Sequence, residues 1–129
     1  MRKFLMITAV LSLGAGTAMA EPLLGMWRTA GDDNGNSGLI QVAPCGNAVC
    51  GKLVKSFNSA GQEIASENIG RNIISETVPT GGGQYKGKVY SPDRGKTYNS
   101  KLHLSGDTLK VSGCVMGICR DGGTWQRVK

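Results

Sequence analysis

Four cysteines are the residues best placed to do chemistry: Cys45, Cys50, Cys114 and Cys119. They form two Cys-x4-Cys pairs, not the short Cys-x2-Cys spacing of structural zinc sites. An even count in a short exported chain reads as disulfides. Each pair flanks the expected tip of a hairpin, Gly46-Asn47-Ala48-Val49 and Val115-Met116-Gly117-Ile118. A four-residue loop can set its flanking residues opposite one another, within disulfide reach. Among the three possible pairings the expectation is therefore Cys45–Cys50 and Cys114–Cys119. Closing loops this small contributes roughly 2 kcal/mol each. A redox pair or a zinc site is the functional alternative, and spacing and compartment both disfavour it.

The remaining reactive side chains form no catalytic constellation. His103 is the only histidine, and strand parity sets it with Thr97, Asn99 and Lys101, opposite Tyr98 and Leu102. That predicts an outward, solvated imidazole with neither nucleophile nor orienting acid nearby. Glu63, Glu67 and Glu76 share one poorly patterned segment, where a solvated crossover is the simpler reading. The stretch Gly82-Gly83-Gln84-Tyr85-Lys86-Gly87-Lys88 resembles a phosphate loop, but Val89 stands where a magnesium-binding hydroxyl is required. Asp32-x-Asn34-x-Asn36 opens like a calcium loop, yet Ser37 and Ala43 replace the glycine and glutamate at positions six and twelve of such loops. A hairpin turn is the better reading there. No enzyme, cofactor or metal is expected.

The elements that carry these residues are strands. Gly87 to Gly113 is a meander: Val89-Tyr90, a Ser91-Pro92-Asp93-Arg94-Gly95 turn, alternation through Tyr98, Ser100, Leu102 and Leu104, a second turn, then Thr108 to Val111. Further strands are expected over 23–29, 38–43, 51–57, 71–78, 84–90 and 123–129, with Pro79 to Gly83 as a break. Lys86, Lys88 and Tyr90 share one face, as do Lys52, Val54 and Ser56. The 62–77 segment reads as a short helix or an irregular crossover running into the 71–78 strand. About eight short strands in hairpin order predict an all-β fold, a small antiparallel up-and-down β-barrel. The 20 glycines serve turns and tight bends in curved strands.

The first residues set the expected compartment. Arg2-Lys3, an apolar Phe4–Leu13 core and Ala18-Met19-Ala20 have the form of a cleaved secretory signal. The expected division is residues 1–20 as signal peptide and 21–129 as a single domain, periplasmic or secreted. No membrane span is expected after cleavage. Loss of Arg2 and Lys3 takes two charges from the formal net charge of +6. The remaining basic excess favours anionic envelope surfaces over nucleic acid.

Gly25-x-Trp27 near the start and Trp125-x-Arg127 at the end resemble the terminal signature of lipocalin-like barrels, the calycins. Such a pairing implies that the first and last strands lie side by side, with the Arg127 guanidinium on the Trp27 indole. Cys45-Gly46, Cys50-Gly51-Lys52-Leu53-Val54, Gly87-x-Val89-Tyr90-x-Pro92, Gly95-Lys96-x-Tyr98 and Leu109-x-Val111-x-Gly113 extend the likeness. In that order they are similar to the exported bacterial family catalogued as domain-of-unknown-function family 2147. The 62–77 segment departs from that family's pattern. The resemblance implies a lipocalin-like barrel of unestablished role, and two functions follow. One is a non-enzymatic carrier of a small apolar or amphipathic ligand, with Trp27, Tyr90, Tyr98, Trp125 and Arg127 as ligand-binding residues. The other is an envelope interaction or inhibitor module working through Ser91–Lys96 or Val115–Ile118, where Met116 and Ile118 would form an exposed apolar knob.

Overall fold

The computed structural model describes residues 21–129; the expected signal peptide, residues 1–20, lies outside the described residues. Nine strands follow a short N-terminal turn: β1 (Gly25–Arg28), β2 (Ser37–Cys45), β3 (Ala48–Phe57), β4 (Glu63–Ile64), β5 (Asn72–Gly81), β6 (Gln84–Ser91), β7 (Lys96–Ser105), β8 (Thr108–Val115) and β9 (Ile118–Val128). Eight of them close an antiparallel barrel in the order β2-β1-β9-β8-β7-β6-β5-β3, sealed by β2–β3, and β4 is an extra strand on β3. Closure leaves the barrel strands without a long free edge. No helix is present among the described residues, so the 62–77 segment is the crossover: β4 pairs only through Ser56↔Ile64 and Phe57↔Glu63, and turns carry the chain to β5.

Inward positions alternate as the pleat requires. Leu23, Trp27, Ile40, Ile74, Leu102 and Leu109 are fully buried, with Val42, Tyr85, Val111 and Trp125 nearly so. Several inward positions are glycine, and their space is already taken. A Cβ at Gly51 would stand 2.8 Å from side-chain atoms of both Ile40 and Ile74, and one at Gly87 would stand 2.6 Å from the Ser75 carbonyl oxygen. Neighbouring side chains and backbone thus occupy the volume that the glycines vacate.

Local departures have physical causes. The β2–β3 register shifts between Leu39 and Ile40, so Val54 is the extra residue and Ser56 turns inward and is buried. The face expected for Lys52, Val54 and Ser56 is therefore interrupted by a bulge. A second bulge in β5, between Ser75 and Val78, holds Glu76 in the left-handed region at φ 50°. The expected break at Pro79 is instead strand, with Pro79 opposite Tyr85. Proline is tolerated because the last β3 contact of β5 is Thr77↔Val49, beyond which β5 is paired on one side alone. The last strand begins at Ile118, ahead of the expected Gly123, because the β8–β9 ladder runs through Cys114↔Cys119 to Val115↔Ile118.

Candidate binding surface

The aromatic and cationic residues expected to bind ligand fall into two groups. Trp27, Trp125 and Arg127 gather at one end of the barrel. There the Arg127 guanidinium lies 4.4 Å over the Trp27 ring. It donates to the carbonyls of Pro22 at 2.7 Å and Leu24 at 3.1 Å, and to Asp107 Oδ1 at 3.2 Å. Trp27 Nε1 donates to the Leu23 carbonyl at 3.0 Å. The Tyr85 hydroxyl donates to Glu21 Oε1 at 2.5 Å. Burial, then the hydrogen bond and charge of Glu21, push the Tyr85 phenol well above its usual range. Asp107 is held below the usual carboxylate range by the Lys129 ammonium hydrogen-bonded to it and by Arg127. Trp27, Tyr85, Asp107 and Arg127 thus all find polar partners within the chain, so the chain's own groups plug this end.

Tyr90 and Tyr98 sit toward the opposite end. Tyr90 faces outward and is half-buried beneath Arg71, whose guanidinium lies 4.2 Å over its ring. Tyr98 faces inward and packs beside Gly113. The loops at this end bring Asp93 toward Asp32 and Asp33; burial, then those two charges, raise the Asp93 carboxyl. Asp32 Oδ1 accepts from the Asn34 and Asn36 amides, both at 2.9 Å. That carboxylate organises a turn, and no grouping of His, Cys, Asp or Glu fit to hold a metal occurs among the described residues. His103 is exposed on the outer face of β7.

Both expected disulfides are present, with Cα separations of 5.5 Å for Cys45–Cys50 and 4.0 Å for Cys114–Cys119. Their hairpins differ. Cys45 faces Ala48 and Cys50 faces Ala43, a diagonal link across a tight Gly46-Asn47 turn. Cys114 faces Cys119 directly, and the turn is only Met116-Gly117, both at positive φ, 53° and 80°. That conformation matches a two-residue hairpin turn. Met116 is 95% exposed, Ile118 69% and Val115 53%.

Two overlapping depressions, of about 480 and 400 Å³, lie against this hairpin. They share Glu76, Lys88, Asn99 and Cys114 and are lined mainly by outward-facing residues. Lys88 Nζ donates to Asn99 Oδ1 at 2.8 Å. The result is a groove on the outside of β5–β8, walled by the bulged Glu76 on one side and by the tip on the other. Alternation in the sequence shows the outward lysines; Glu76 joins them only through the bulge, which carries no sequence signal.

A family model matches residues 25–127. The chain belongs to the family described as an uncharacterised protein conserved in bacteria, DUF2147. Among solved structures it is similar to protein HP1028 from the human pathogen Helicobacter pylori, described as belonging to the lipocalin family. The two share 17% identity over 85% of each chain, with a TM-score of 0.65. At that identity the likeness shows a common fold. Comparison with curated proteins gives no match. The lipocalin-like barrel implied by Gly25-x-Trp27 and Trp125-x-Arg127 is thus present, as is the family. No helix of the described residues is long and apolar enough to cross a membrane.

Proposed function

We propose that this DUF2147 protein is a non-enzymatic binding module of the bacterial envelope that engages a protein partner from the outside of its barrel, through the β8–β9 tip. One observation carries the reading: Met116, Ile118 and Val115 stand exposed together on a hairpin held by a disulfide. Solvent-exposed apolar side chains grouped on a rigid support are costly to leave in water and gain from a partner. The disulfide and the two-residue turn hold the tip in place before binding, which lowers the entropy lost on association. Two disulfides and the signal-like first residues favour a periplasmic or secreted setting, with residues 21–129 as the single working domain.

The carrier reading has the fold in its favour, since lipocalin-like barrels have room for one small ligand. Against it stands the interior of this barrel, where Ile40, Ile74 and Leu53 side chains fill the space beside the inward Gly38 and Gly51. A photo-crosslinking residue placed at Met116 in producing cells tests the preferred reading, with one at Lys55, on the outer face of β3, as control. A discrete adduct from position 116 and none from 55 is expected. Equal or absent adducts would contradict the reading.

A further inference from the structure

The groove beside the tip has a chemistry of its own. Lys86 on β6 faces Lys101 on β7 directly across the ladder, and Lys88 lies one outward step along β6. Like charges set opposite one another on a sheet repel. Among the described residues, ion pairs join Lys55 to Glu63 and both Arg127 and Lys129 to Asp107. None involves Lys86, Lys88 or Lys101. Glu76 is the one carboxylate lining the groove, and it makes no ion pair within 4.0 Å of these lysines. The floor is therefore cationic while the tip wall is apolar.

We propose that this groove receives an extended acidic segment of the partner, its carboxylates on Lys86, Lys88 and Lys101 and an apolar side chain against Val115 and Met116. The proposal rests on the tip reading above and adds the partner's chemistry. Charge complementarity sets the sign of the occupant. An extended chain reaches both the lysine floor and the tip wall, which line the same two overlapping depressions. Both β6 and β7 are paired on each side, so no strand is added to the sheet. Recognition runs through side chains and is open to charge reversal.

The test is fluorescence anisotropy of the purified protein with short labelled peptides alternating Glu with Leu, Ser with Leu, and Lys with Leu. The Glu–Leu peptide should bind at least about tenfold more tightly than the Ser–Leu peptide, and its advantage should shrink as salt is raised. Lys86→Glu with Lys101→Glu should abolish that advantage. The milder Lys86→Gln with Lys101→Gln should reduce it, which guards against a folding defect from opposed glutamates. Glu76→Gln should tighten Glu–Leu binding by removing the competing carboxylate. Equal binding of the Glu–Leu and Ser–Leu peptides would overturn the proposal. If that equal binding is also weakened by Met116→Ser with Ile118→Ser, the tip reading survives without its acidic partner. Binding to anionic lipid vesicles with none to any peptide would overturn the proposal in favour of a membrane surface.

Discussion

The plugged end of the barrel and the β8–β9 tip use the same kinds of residue in opposite ways. At the plug, Trp27 and Leu23 are fully buried, and Arg127 spends its guanidinium on a ring, two carbonyls and a carboxylate of the same chain. At the tip, Met116 and Ile118 face water, and the nearby Lys86 and Lys101 have no acidic partner within the described chain. Aromatic, aliphatic and cationic side chains therefore do not mark a binding site by type. What separates the two regions is whether their hydrogen bonds and apolar surface are already satisfied within the fold.

Breaking the plug should produce the largest effect on stability. Trp27→Ala removes a fully buried indole and the stacking surface for Arg127, and should cost about 3–5 kcal/mol in denaturant unfolding. The two disulfides sharpen the contrast. Replacing either cysteine pair with serine should cost about 2 kcal/mol. Loss of Cys114–Cys119 should in addition weaken crosslinking from the tip, whereas loss of Cys45–Cys50 should leave it intact.

A smaller effect is expected from Asp107, whose carboxyl is held below its ordinary range by the Lys129 hydrogen bond and by Arg127. A depressed folded-state pKa contributes stability above the unfolded value of about 4, and that contribution is lost as pH falls through the folded value. Asp107→Asn should flatten the acid limb of a thermal-unfolding pH profile and leave its alkaline limb unchanged. Least of all, Met116→Ser with Ile118→Ser should shift stability by no more than about 0.5 kcal/mol, since these side chains are exposed, while removing the crosslinked adduct.

The strands and the cysteine pairing were legible because both follow from local rules: period-two alternation, turn residues, and short loops between half-cystines. The geometry of the two clips was not. Identical Cys-x4-Cys spacing gives a diagonal link at Cys45–Cys50 and a directly opposed one at Cys114–Cys119, because each register is set by its turn and not by the cysteines. Bulges explain most of the remainder. One extra residue at Val54 turns Ser56 inward, and another turns Glu76 out toward the lysines of β6. The 62–77 segment hid its strand because β4 has only two residues paired to β3, too few for any periodicity. Trp27, Trp125 and Arg127 could be singled out by motif, but that the chain's own carbonyls satisfy Arg127 depends on the turn at residues 21–24. The groove was illegible for a similar reason: its walls come from separate strands.

A barrel that binds with its outside should carry nothing within. Native mass spectrometry of the protein isolated without denaturation from the cells that make it, beside the Met116→Ser, Ile118→Ser variant, reads both surfaces at once. A barrel free of retained small molecules and a protein complex that the variant loses are expected. A small-molecule adduct that stays with both forms and leaves only on unfolding would contradict binding by the outside and return function to the interior.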